Sequence, residues 1–173
     1  MRIVIVAILF MAGVAAAQAQ GGSAGTQTQS GGLEGVDVIA AGIYKLGATK
    51  EIKDRTISTG QRTVANTTLV RRTTNIPAKP EMVFGIDIHI LGKPAGRSVP
   101  LHIVWRYPQP GLKNPATGTA KLSDEYDETR KLDETTTYYW TLGPDWTLVP
   151  GEWVIEIWSS DKMLAKQTFQ LQR

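Results

Sequence analysis

Residues 84–90 read Phe-Gly-Ile-Asp-Ile-His-Ile. Phe84, Ile86, Ile88 and Ile90 alternate with Gly85, Asp87 and His89. A period of two sends alternate side chains to opposite faces of a strand, whereas a helix needs apolar residues every three to four. The stretch predicts a half-buried β-strand, and the pattern recurs on both sides of it. Downstream, Leu101, Ile103 and Trp105 alternate with His102, Val104 and Arg106. Tyr138, Trp140 and Leu142 form another run, and Trp153, Ile155 and Ile157 alternate with Val154, Glu156 and Trp158. Upstream, Val36, Val38, Ala40, Gly42 and Tyr44 alternate, and 65–72 is rich in Thr and Val. A last strand spans 165–171 and ends in Phe169 and Leu171. Turn signals separate these runs: Gly92-Lys93-Pro94-Ala95-Gly96, Pro150-Gly151 and 159–162, while 108–118, with three prolines and two glycines, reads as a loop. About seven strands and no amphipathic helix predict an all-β fold, an immunoglobulin-like two-sheet β-sandwich. A small closed barrel is the alternative. The Cys…Trp…Cys signature of antibody domains is absent.

The composition agrees. The chain has 173 residues, formal net charge +3, 20% charged and 42% hydrophobic residues, enough apolar content for one core and too much for wholesale disorder. There is no Cys and there are two His, so disulfides, thiolate metal sites, a cysteine nucleophile and most histidine-based active sites are excluded.

The N-terminus reads as an address. Met1-Arg2 is a short basic region, residues 3–14 are apolar but too few to span a bilayer, and Ala17-Gln18-Ala19 has the small-residue pattern of a cleavage site. Residues 1–19 are therefore expected to be a signal peptide, and the mature protein periplasmic or secreted, with no integral membrane segment after cleavage. Residues 20–35, rich in Gly, Ser, Thr and Gln, read as a flexible lead-in to a domain over 36–173. Gly21-Gly22-Ser23-Ala24-Gly25 matches G-x-S-x-G formally, but no strand pattern precedes it and no helix pattern follows, as a nucleophile elbow requires.

Two stretches carry a family resemblance. Thr74-Asn75-Ile76-Pro77-Ala78 followed by Val83-Phe84-Gly85, and Pro150-Gly151-Glu152-Trp153 running through Leu164 to Phe169, resemble the T-x-IPA…FG segment and the closing G-x-W…L…F hairpin of the bacterial domain-of-unknown-function family numbered 3859. The resemblance covers about residues 36–171. It implies an exported sandwich module. The family has no assigned activity, so no functional residue transfers with it.

Several residues are candidates for chemistry. His89 and His102 lie out of phase with the apolar residues of their strands. If these strands pair through the 92–99 connection, residues 89 and 102 fall nearly opposite each other with Cβ atoms about 5 Å apart, and the two imidazoles could share Zn²⁺ or Cu²⁺, with Asp87 as the nearby carboxylate. Asp124, Glu125, Asp127, Glu128, Asp133 and Glu134 form an acidic run that could attract Ca²⁺, but it lacks the D-x-[DN]-x-[DN]-G pattern and reads as a solvated loop or edge strand. Trp105 and Trp153 are in phase with the core. Trp158 is out of phase, Trp146 sits in a Gly-Pro-Asp loop, and these two with Tyr107 are candidates for an exposed binding surface. Residues 20–121 hold 13 basic and 6 acidic side chains, whereas 122–173 hold 5 and 10. No basic cluster with interleaved aromatics points to nucleic acid.

The reading that follows is an exported, non-enzymatic binding or structural module of unknown ligand, with no cofactor and an envelope protein or peptide as partner. A small envelope hydrolase, or a metal-binding protein using His89 and His102, is the alternative.

Overall fold

The computed structural model describes residues 32–53, 57–59 and 61–173. The expected signal peptide with its cleavage position, most of the lead-in and the G-x-S-x-G match lie outside the described residues. In chain order the strands are β1 (Leu33–Lys53), β2 (Gln61–Arg72), β3 (Asn75–Pro77), β4 (Val83–Gly92), β5 (Ser98–Arg106), β6 (Leu112–Lys113), β7 (Ala120–Lys121), β8 (Ser123–Lys131), β9 (Thr135–Thr141), β10 (Gly151–Ser159) and β11 (Lys162–Gln172), with one 3-10 turn at Asp145–Thr147. β1 starts at Leu33, inside the stretch whose composition suggests a lead-in.

Two sheets stack face to face, in the orders β2-β1-β4-β9 and β3-β11-β10-β5-β8, and β6-β7 is a small separate ladder. All pairs are antiparallel except β3 with β11. The two main ladders are separate, so the architecture is a sandwich and not the closed barrel. Among the described residues no helix is long and apolar enough to cross a membrane.

The alternation seen in sequence positions the core. Phe84, Ile86, Ile88 and Ile90 meet Leu101, Ile103, Trp105, Trp153, Ile155, Ile157 and Phe169 between the sheets, all nearly or fully buried. β1 departs from simple alternation. A bulge between Val38 and Ala40 reverses its faces, so Val36, Val38, Ala41 and Ile43 pair with the inward-facing residues of β4, and Ala40 and Tyr44 point to the outer face. Both are nevertheless buried, at 5% and 4% exposure.

What covers them is the hairpin. Residues 33–44 of β1 pair with β4, and residues 42–53 pair with β2. Thr67 Oγ1 on β2 donates to Thr137 Oγ1 on β9 at 3.0 Å, although the two strands sit at opposite edges of their sheet. The hairpin thus folds across the outer face. Its tip reaches the other sheet: Ile57 joins the core, and Ser58 bonds to Asp124 at the start of β8. Gly42 and Gly85 are register partners in β1 and β4. A Cβ on Gly42 would strike the Arg71 carbonyl, and one on Gly85 the Tyr138 carbonyl, which accounts for glycine after Phe84.

Candidate functional site

The expected histidine pair does not form. β4 and β5 belong to different sheets, because residues 93–97 carry the chain across the sandwich instead of closing a hairpin. His89 and His102 therefore face outward from opposite layers, whose backbones alone stand roughly 10 Å apart. His89 meets Thr135 Oγ1 at 3.2 Å and Asp133 at 3.1 Å. His102 lies between Asp127 at 2.8 Å and Glu125 at 3.5 Å. The carboxylates flank opposite ring nitrogens. Asp87 turns to Thr137, whose hydroxyl donates to it at 2.7 Å.

Tyr107 is not a surface residue. It is 6% exposed, and its ring packs at 4.8 Å from Trp153 and 5.3 Å from Trp140. The parity of β5 explains this: position 107 continues the inward set 101, 103, 105, and its N–H still pairs with the Leu122 carbonyl. Burial, then the neighbouring charge of Asp124, pushes its hydroxyl pKa well above the ordinary tyrosine value. Trp146, in the 3-10 turn before β10, is half-buried against the core. Trp158 lies near the far end of β10, half-exposed on the outer face, and its Nε1–H donates to Glu156 at 3.1 Å. Trp146 precedes the start of β10 and Trp158 is near its far end, roughly 20–25 Å along the strand from that start.

Asp124, Glu125, Asp127 and Glu128 of the acidic run lie in β8, at the edge of its sheet, and Asp133 and Glu134 follow it. Asp124, Tyr126, Glu128 and Arg130 pair with the inward residues Trp105, Ile103, Leu101 and Val99 of β5. Arg130 holds Glu128 through two bonds of 3.0 and 3.1 Å and lies over the Tyr138 ring at 5.7 Å. Asp124, 1% exposed, accepts from the Ser58 N–H at 2.6 Å and the Ser58 hydroxyl at 2.7 Å, and Lys121 Nζ approaches it at 3.3 Å. Glu156, 5% exposed on the outer face, takes both arms of the Arg106 fork at 3.0 Å. Burial raises its proton affinity. The Arg106 fork and the Trp158 N–H outweigh that, so its pKa falls below the ordinary carboxylate value. Each deeply buried carboxylate is thus held by partners within the fold.

One side of the sandwich is open. β3 covers β11 only at Gln170, Leu171 and Gln172, so 162–168 have no strand on that edge. β2 flanks β1 only from Gly42 onward, so 33–39 have none either. β1 and β11 approach each other across the sandwich, and the two free stretches belong to them. Leu33, Val38, Leu164 and Ala165 are only partly buried there. Of the four large hydrophobic side chains exposed among the described residues, Ile39 (47%) lies on the free stretch of β1 and Met163 (40%) on that of β11. Two backbone carbonyls along it are covered by side chains. Gln167 Nε2 donates to the Thr168 carbonyl at 2.8 Å, and Arg72 Nη1 to the Ile39 carbonyl at 2.9 Å. Such caps discourage indiscriminate pairing. Sequence points to this edge only through the position of 165–171 at the end of the strand series. The matching free edge of β1 carries no sequence signal, because pairing partners set it.

A family model described as "Domain of unknown function (DUF3859)" matches residues 34–171. No curated protein matches the chain. Among solved structures, an immunoglobulin-like protein from Pseudomonas aeruginosa is similar at 22% identity and a TM-score of 0.53, over 79% of this chain and 96% of that one. An alkylpurine DNA glycosylase from Pseudomonas fluorescens reaches 0.36 at 13% identity, over 58% of this chain and 28% of its own. A β-glucosidase from Listeria innocua reaches 0.37 at 10% identity, over 77% and 16%. The first likeness shows the immunoglobulin-like fold, and the other two are too slight to bear on function.

Proposed function

This chain belongs to the DUF3859 family of domains of unknown function, and from that premise we propose that it is an exported, non-enzymatic binding module that takes an extended segment of an envelope protein or peptide as an added strand on its open side. The observation that carries this reading is the coincidence of two unpaired strand edges with two of the four large hydrophobics exposed among the described residues, Ile39 and Met163. An added strand satisfies edge N–H and C=O groups and covers half-exposed apolar side chains in one step. Its non-enzymatic part is supported by the carboxylates: Asp124, Glu128 and Glu156 are each bound to donors of the fold, which gives them structural roles.

Strand alternation identifies the blocking substitution. The Gln170 N–H points away from β10, to the Thr74 carbonyl. Lys166, four residues earlier, shares that parity, so its N–H faces the free edge. Lys166→Pro removes an outward donor without breaking the ladder to β10. Capture of an envelope partner by the immobilised protein, with crosslinks mapping to 162–168, is expected to be lost in Lys166→Pro while the melting curve stays nearly unchanged. Turnover of envelope glycans or peptides that survives purification and vanishes on replacing a single carboxylate would favour a hydrolase instead.

Export is a separate expectation of the same proposal. Protein recovered from the periplasm or medium should begin at Gln20, as Edman sequencing or intact mass would show, whereas a membrane-embedded chain retaining Met1 would refute cleavage.

A further inference from the structure

Where β2 and β11 end, beside the turn into β3, a cleft of about 490 Å³ opens, lined among others by Arg71, Arg72, Thr73, Asn75, Lys79 and Arg173. That volume lies within the roughly 300–1,000 Å³ of small-ligand sites. Its lining includes no Asp or Glu side chain. None of the four cationic side chains is ion-paired with a carboxylate side chain of the described residues. Arg72 is anchored to the Ile39 carbonyl, a neutral acceptor that fixes the guanidinium and leaves its charge uncompensated.

The walls are set by backbone bonds. The Thr73 N–H donates to the Ala41 carbonyl at 3.2 Å, the Ala78 N–H to the Gln172 carbonyl at 2.6 Å and the Lys79 N–H to the Pro77 carbonyl at 2.9 Å. Thr73 Oγ1 accepts from the Asn75 N–H at 3.1 Å. These bonds fix the main chain beside Arg71, Arg72 and Lys79, whose side chains line the cleft together with that of Arg173. Gathering like charges costs the folded protein free energy. A bound anion relieves it, and guanidinium forks match phosphate and carboxylate oxygens two at a time.

We propose that this cleft is a binding site for a ligand bearing two or more clustered oxyanion groups. One such group would meet only part of the cationic lining. The proposal does not rest on strand addition, although Arg72, which caps the Ile39 carbonyl of the β1 edge, borders both sites.

The test is calorimetric titration of the full mature chain with pyrophosphate, and in a second arm with citrate, at low and matched ionic strength. Saturable binding is expected in at least one arm, and the arm that responds tells phosphate from carboxylate recognition. The double variant R71E/K79E should weaken it at least tenfold. The charge-matched control K93E/K113E, at exposed sites outside the cleft, should change it less than twofold. R71Q/K79Q serves the same purpose should the charge reversal fail to fold. No saturable binding in either arm, or equal weakening in cleft and control variants, would overturn the site.

Discussion

Trp153→Ala should lower the unfolding free energy by about 3–5 kcal/mol, the range for truncating a large buried aromatic. Trp153 has 0% exposure and is a hub of the core. Its ring meets Phe84 at 5.7 Å and Trp140 at 5.6 Å from the facing sheet, and Tyr107 at 4.8 Å from its own. Its Nε1–H also donates to the Val149 carbonyl at 2.9 Å. Truncation therefore leaves a cavity between the sheets and strips a bond from a loop carbonyl at once. For a domain of this size that is a fall in Tm of roughly 10–15 °C. Trp158, five residues on, faces outward with part of its surface in solvent, and Trp158→Ala should cost clearly less, about 1 kcal/mol. Urea melts of the two variants make the comparison. Equal losses would mean that β10 presents the opposite face to the core.

The same strand shows what a sequence can carry. β4, β5, β9 and β10 are legible because each has a strongly apolar face, and a period of two needs no knowledge of partners. β8 is not, since its inward residues Asp124, Glu128 and Arg130 satisfy their charges at the edge of the sandwich, so its apolar signal shrinks to Tyr126. β3 is three residues long and owes its existence to a parallel partner almost a hundred residues away. Local pattern also says nothing of which strands share a sheet. The short connection between β4 and β5 reads as a hairpin, yet it crosses the sandwich, and the supposed metal pair His89 and His102 is separated for that reason. Tyr107 was legible in principle, since it continues the parity of Leu101, Ile103 and Trp105, but the prolines that follow disguise it as loop. The open side and the cationic cleft are consequences of where strands stop pairing, which local pattern does not encode.

Asp124→Ala is expected to be the most damaging polar substitution, at about 3–4 kcal/mol, since it deletes two short charge-assisted hydrogen bonds worth about 1.5–3 kcal/mol each and leaves both Ser58 donors in a site that is 7% exposed. The two residues are 66 positions apart, so the bond pins the hairpin tip to the far sheet and keeps Ile57 in the core. Ser58→Ala removes only the hydroxyl and should cost about 1–2 kcal/mol. In the double variant the losses should fall well short of additive, because the hydroxyl has no acceptor once the carboxylate is gone. Hydrogen exchange separates the local event from global unfolding: amides at 57–59 should open in Asp124→Ala before those of β4 and β10. Additive losses, or uniform exchange across hairpin and core, would show that Asp124 does not latch the hairpin. Because the hairpin lies across the outer face of the β1 sheet, its release would expose Ala40 and Tyr44. The carboxylate that opens an acidic run is thus placed where a 21-residue strand and its partner must be held down, and a polar residue is used because the tip arrives with backbone and hydroxyl donors that an apolar side chain would leave unsatisfied.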